Sequence, residues 1–407
     1  MVCIGDGCVW TLVRRLGVAV RVNAIIHLGG GVVLAGTFPN GEVWRSTDFG
    51  LTWALVQSLG SNQWVRCFTT NGAGVVIAGT GSNGEIWRST DYGLSWNNQG
   101  TLGVQTDIDS LCWCSGSVYL AGTYPSARVY RSVDGGVSWS FVANFGGNNY
   151  VLSLVYQGFN IALAGTGAAG EVYKSYDKGA SWVFFKYSGA AVSIRALTLG
   201  RSGLTLAGVG LTGCVWRNRY FGAEWLQVAS FAPETDVWSL AFLGGNVFLA
   251  GTIPSAQIWK TPDNGATWSL AQELLPETSI NALASLGAGI CLAGTGPSGQ
   301  IWRSAPLPPA PVANFTGAPL LGDAPLSVQF TDTSANSPTE WLWDFGDGHL
   351  SAEQHPLHEY AGPGVFTVSL KATNAGGFDV EEKIGYITVA APPPVFSPAW
   401  SIRIGPV

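Results

Sequence analysis

A chain of 407 residues with 55 glycines, 12% aromatic and only 11% charged residues has room for one large and one small domain, and its composition is that of a compact all-β protein with many tight turns. A net charge of −6 argues against nucleic acid or an anionic membrane as partner, and the sequence has no apolar run long enough to span a bilayer, so neither nucleic-acid binding nor membrane insertion is expected. Seven cysteines, an odd number without a CxxC spacing, exclude an ordinary disulfide framework.

The N-terminus, MVCIGDGCVWTLVRR, has neither the basic start nor the apolar core of a signal peptide. The stretch Val32 to Trp53, VVLAGTFPNGEVWRSTDFGLTW, then recurs in altered form as far as Ser304. Leu-Ala-Gly-Thr or a close variant begins at Leu34, Ile77, Leu120, Leu163, Leu206, Leu249 and Leu292, always in steps of 43 residues. A period of this size carrying several short apolar runs predicts a β-propeller, in which each repeat is one small sheet that cannot bury its faces alone. Seven copies predict seven blades.

Within one repeat, Asn23–Leu28 reads as the innermost strand, Val32–Thr37 as the second, Glu42–Ser46 as the third and Trp53–Leu59 as the outer one. The Trp53 column continues through Trp96, Trp139, Trp182, Trp225 and Trp268, and one step backward falls on Trp10. The seventh repeat breaks off after Ile301-Trp302-Arg303-Ser304, so Gly7–Val13 is expected to supply its missing outer strand and remove the exposed edge. Apolar (Val43, Ile86, Val129, Val172, Val215, Ile258, Ile301) and aromatic (Trp44, Trp87, Tyr130, Tyr173, Trp216, Trp259, Trp302) columns are expected between blades. The basic column beside them, Arg45, Arg88, Arg131, Lys174, Arg217, Lys260 and Arg303, is spread too evenly for an anion patch and should lie over aromatic rings or bond turn carbonyls. Cys67 and Cys291 occupy columns of small apolar residues, Cys112 and Cys114 are too far apart along one strand to bridge, and Cys3 and Cys8 remain able to pair.

After the third strand comes Ser46-Thr47-Asp48-Phe49-Gly50-Leu51-Thr52-Trp53. The pattern S-x-D-x-G-x-[ST]-W returns around Asp91, Asp134 and Asp177, with a variant around Asp263. A short carboxylate accepts the turn's N–H groups, glycine takes positive φ and tryptophan packs beneath. These turns resemble the Asp-box, or BNR, repeats of sialidase-like propellers, over roughly residues 1–304. The resemblance implies fold and not activity, because such boxes are structural turns away from the catalytic centre. One repeat departs: Asn218 to Trp225 lacks the Asp and needs another acceptor.

Residues 305–311, APLPPAP, read as a stiff linker. Strands are then expected at Val312–Phe315, Leu326–Thr331, Glu340–Phe345, Val365–Thr373 and Lys383–Val389, an Ig-like sandwich over 312–390. Trp341-Leu342-Trp343-Asp344-Phe345-Gly346-Asp347-Gly348, His358-Glu359-Tyr360 and the alternating strand from Gly364 resemble the PKD domain, which implies an extracellular spacer or adhesion module. Residues 391–407 read as a tail without a domain of their own. His358 fits the PKD pattern, and neither a metal site nor a cofactor is expected.

Loops into the inner strands share one end of the propeller, opposite the Asp boxes, and the channel mouth there is the expected ligand site. Two columns vary there: Arg21, Trp64, Asp107, Tyr150, Ser193, Asp236 and Ser279, and Asn23, Arg66, Asp109, Leu152, Arg195, Trp238 and Asn281. As a sialidase-like glycoside hydrolase, the chain would use Arg21, Arg66 and Arg195 for a carboxylate and Tyr150, Asp107, Asp109 and Asp236 as nucleophile and acid/base. Against this, the Arg-Ile-Pro motif is missing and sialidases resemble six-bladed rings. As a binding module it would use the same residues, with Trp64 and Trp238, as an aromatic and polar rim. Short loops such as Phe38-Pro39-Asn40-Gly41 favour that reading. The expectation is a non-enzymatic module at a cell or virion surface, recognising a glycan or a protein partner in a larger assembly.

Overall fold

The computed structural model describes residues 10–61, 63–187, 192–219, 225–287, 289–304, 310–374 and 377–393. The Cys3–Cys8 pairing, the start of the strand expected from Gly7, most of the linker, residues 394–407 and the centre of the Asn218–Trp225 turn lie outside them. Contacts divide the chain into two compact units, 1–307 and 308–407.

In the first unit the described residues form seven four-stranded antiparallel sheets. The first consists of Arg21–Gly29, Val32–Phe38, Glu42–Ser46 and Ala54–Ser58, joined by short turns. Inner strands begin two residues earlier than the sequence reading because Arg21 pairs with Phe38 and Val22 with Thr37, which places the variable columns on strand ends rather than in loops. The sheet of Ser279–Gly287, Ile290–Gly296 and Gln300–Ser304 takes its fourth strand from Trp10–Arg15, with Trp10 opposite Ser304 and Leu12 opposite Trp302. Trp10 is buried, as its equivalents Trp53, Trp96 and Trp225 are.

Neighbouring sheets pack face to face, and the Leu-Ala-Gly-Thr segment shows why. Leu34 and Ala35 are wholly buried. The following Gly36 lies so close to Val65 of the next sheet that a Cβ would overlap it, and Gly79 meets Ile108 in the same way, at 2.6 Å from an added Cβ. Gly294 of the last sheet bears the same relation to Val22 of the first.

Each S-x-D-x-G-x-[ST]-W turn closes on its aspartate. Leu51 N–H (3.0 Å), Thr52 N–H (2.8 Å) and Thr52 O–H (2.5 Å) donate to Asp48, Ser46 O–H donates to it at 2.7 Å, and Trp53 Nε1–H donates to Gly50 O at 3.0 Å. Five of the basic column bind the turn carbonyls of the following sheet. Arg45 donates to Tyr92 O, Arg88 to Gly135 O, Arg131 to Lys178 O, Arg217 to Asn264 O and Arg303 to Phe49 O, at 2.8–3.3 Å. Lys174 lies 4.7 Å from the centre of the Phe185 ring. Five of the seven cations are thus ties between sheets, while Lys174 lies over a ring of its own sheet.

The second unit pairs a three-stranded sheet (Phe315–Ala318, Leu326–Asp332, Leu357–Tyr360) with a five-stranded one (Leu321–Asp323, Gly377–Ala390, Gly364–Asn374, Glu340–Asp344, Leu350–Ser351). Val312, expected to begin the first strand, makes only an isolated bridge to Ala335, and the last strand starts at Gly377 rather than Lys383. Three short strands, at Leu321, Leu350 and Leu357, escape the sequence reading because their leucines are exposed, and only the last of them turns side chains inward, at His358 and Tyr360. Trp343, Phe315, Phe330, Phe345 and Tyr360 fill the core, with Trp343 Nε1–H donating to Glu353 O and Tyr360 O–H to Phe345 O.

Candidate functional site

One cavity of about 230 Å³ is lined by Asn23, Arg66, Asp109, Leu152, Arg195, Trp238 and Asn281, together with Trp64. The first seven are one column of the repeat, each contributed by the inner strand of a different sheet at 43-residue spacing. Of the nine residues expected to bind ligand, Trp64, Arg66, Asp109, Arg195 and Trp238 line this cavity.

The other four stand behind or beside it. Asp107 accepts Arg66 Nε–H at 3.1 Å and the Ser82 backbone N–H, and Asp236 accepts Arg195 Nε–H at 3.1 Å. Arg21 carries its guanidinium 5.9 Å over the Trp64 ring, whose centre also lies 4.6 Å from that of Arg66. Tyr150 stacks on Tyr124 at 4.4 Å, and burial, reinforced by Tyr124, pushes its hydroxyl up from its ordinary value. Two of the three cations expected to hold a substrate carboxylate are therefore already paired with carboxylates of the protein. Tyr150 is made a poorer nucleophile, because its neutral form is the one favoured.

Asp109 is the most perturbed acid in the cavity. Its side chain is only 3% exposed. Burial raises its carboxyl to about 6 against the opposing pull of Arg66. Arg66 Nη1 approaches Asp109 Oδ1 to 3.0 Å, yet neither carboxylate oxygen receives a well-aligned hydrogen bond. The charge pair is real by distance but poor by direction, which is why burial prevails. Asn23 Nδ2, Trp238 Nε1 and both amide atoms of Asn281 likewise have no hydrogen-bond partner among the described residues. Buried polar atoms left this way are costly unless water or a ligand meets them. The sequence reading, which favours charged and aromatic side chains, passes over Asn23, Leu152 and Asn281; their shared column was the available signal.

A second hollow of about 400 Å³, lined by Arg201, Ser202, Leu204, Arg219, Asn246 and Asn264, lies at the end where the aspartate turns are.

In the second unit Asp347, His349 and His358 converge, with one ligand-type atom from each within 4.8 Å of the others. The sequence reading found no metal site among these histidines. Their approach depends on the fold pairing Leu326–Asp332 with Leu357–Tyr360 and on the tight turn at Gly346 and Gly348, neither of which a spacing rule supplies.

Residues 308–389 match the PKD domain family. A microbial collagenase of Vibrio alginolyticus is 36% identical over 55 residues, a stretch covering 12% of this chain and 7% of that protein's length. Among solved structures, a streptogramin B lyase superposes with a TM-score of 0.66 at 11% identity, covering 74% of this chain and 98% of that one. The virginiamycin B lyase of Staphylococcus aureus gives 0.64 at 12% identity, covering 73% and 99%. YCF48 bound to D1 peptide gives 0.58 at 13% identity, covering 74% and 98%. The protein is a β-propeller followed by a PKD domain. At these identities the likeness of the first unit is one of fold alone.

Proposed function

We propose that this protein is a non-enzymatic binding module of a cell or particle surface, in which a closed seven-bladed Asp-box propeller presents its channel mouth to a glycan. Closure of the ring is supported by the fit of Gly294 against Val22 and by the bond from Arg303 to Phe49 O, which repeat between last and first sheets what holds the others together. The aspartate turns support the Asp-box assignment by accepting both backbone and side-chain donors. An extracellular setting is supported by the PKD match and by the likeness to a collagenase.

The observation that carries the binding reading is the mouth itself. Asn23, Trp238 and Asn281 line one cavity together with Trp64, and their buried amide and indole groups have no hydrogen-bond partner among the described residues, while Arg66 and Arg195 are held by the protein's own carboxylates. Amide and indole groups beside aromatic faces suit the hydroxyls and apolar ring faces of a neutral sugar better than an anionic one. A protein segment is the second reading, favoured by YCF48, whose solved structure holds a D1 peptide. The raised carboxyl of Asp109 is the feature a hydrolase would exploit as general acid. Among the described residues the mouth offers it neither a second free carboxylate nor an activated Tyr150 as partner, which favours binding over hydrolysis.

A glycan array probed with the full chain tests the proposal. Neutral glycans should be retained, and Trp238→Ala should lower the affinity of the best one at least about tenfold, the loss of one buried aromatic contact. Retention of sialylated glycans alone, or binding indifferent to Trp238→Ala, would refute it.

A further inference from the structure

The PKD turn carries a constellation that the binding reading does not use. Asp347 follows the tight turn at Gly346, and its Oδ1 accepts the backbone N–H of His349 at 3.1 Å. His358 Nε2 lies 2.8 Å from Asp347 Oδ2, and His349 Nδ1 lies 3.3 Å from Asp347 Oδ1. The His358 ring is held flat against Phe345, 4.0 Å between centres at 4°, with Tyr360 edge-on at 4.6 Å. His349 is by contrast 73% exposed and able to turn. His355 is engaged elsewhere, its Nδ1 accepting the Asp332 N–H.

We propose that Asp347, His349 and His358 form a binding site for a divalent transition-metal ion of the zinc class. Two imidazole nitrogens and one carboxylate are the donor set of such ions, whereas Mg²⁺ and Ca²⁺ prefer oxygen alone. Ligand atoms about 2.0–2.2 Å from a tetrahedral ion stand roughly 3.3 Å apart. The separations here, 3.3 Å from His349 Nδ1 to Asp347 Oδ1 and 2.8 Å from His358 Nε2 to Asp347 Oδ2, lie at that value and about half an ångström below it, one to each carboxylate oxygen. The remaining one, within 4.8 Å between the histidines, closes by a turn of the exposed His349. Stacking on Phe345 fixes His358, so little ordering is left for the ion to bring about. On binding, the proton that His358 Nε2 shares with Asp347 leaves that nitrogen for Nδ1 or for solvent, and the nitrogen lone pair goes to the metal. Three protein ligands leave a fourth position open for water or for a donor from a partner surface.

Titration of the full chain with Zn²⁺ alone, followed by calorimetry, tests the site, with Co²⁺ absorption reporting the ligand type. One ion per chain is expected, with a Co²⁺ spectrum lacking a thiolate band. His349→Ala changes an exposed side chain without touching the core and should weaken binding by at least about tenfold, since even second-sphere losses cost 10–100-fold. The double change Cys3→Ser and Cys8→Ser should leave binding intact. No saturation by about 1 mM Zn²⁺, binding unchanged by His349→Ala, loss of binding in the cysteine variant, or preference for Ca²⁺ would each overturn the assignment.

Discussion

Replacing Asp109 by Asn should make the propeller more stable at neutral pH, although it removes one half of an ion pair. Burial holds the Asp109 carboxyl near 6 in the fold, against an ordinary value of 3.8, and Arg66 offsets only part of that shift. The folded state therefore keeps this proton between about pH 4 and 6 while the unfolded chain has released it, so stability falls as pH rises through that window and stays lower above it. At about 1.36 kcal/mol per pKa unit, ionised Asp109 costs roughly 3 kcal/mol at pH 7. Asparagine keeps the shape without the charge, and Arg66 retains its bond to Asp107. Urea unfolding followed by tryptophan fluorescence should show Asp109→Asn shifted up by roughly 1 M or more at pH 7.5. The two proteins should converge near pH 4. An unchanged or lower midpoint at pH 7.5 would mean that the attraction of Arg66 outweighs burial, and the reasoning would fail.

The ties between sheets give a second test: Arg88→Ala removes a 2.8 Å bond to Gly135 O. The partly exposed setting reduces the loss to about 1–2 kcal/mol, read as a lower urea midpoint. Asp48→Ala should destabilise the first aspartate turn by about 1 kcal/mol at pH 7. Slight burial works upward on Asp48, but hydrogen bonds from Thr52, Ser46 and Leu51 outweigh it and hold the carboxyl near 2. Its contribution is therefore complete above about pH 4 and lost as pH falls through 2, so the variant and the parent should converge in acid unfolding curves.

The sheet pattern was legible because the 43-residue period writes each structural requirement several times. The Gly of Leu-Ala-Gly-Thr, the Trp10 position and the basic column each took their meaning from comparison with equivalents. The cavity was legible as a column, but the partners of its cations were not. Arg66 and Arg195 looked available, yet Asp107 and Asp236 occupy them, a pairing between positions 41 apart that depends on how adjacent inner strands sit. Asn23 and Asn281 gain their interest from lacking partners, which no sequence displays. In the PKD unit, without a repeat, the exposed edge strands and the meeting of His349 with His358 were out of reach of pattern alone.

The claim that the mouth binds without catalysis is tested most directly by incubating the full chain with the glycan it retains best and following that glycan by mass spectrometry over many turnovers' worth of time. The account predicts a bound glycan recovered unchanged, by the parent and by Tyr150→Phe alike. Cleaved glycan produced by the parent and abolished in Tyr150→Phe or Asp109→Asn would contradict it and make the propeller an enzyme.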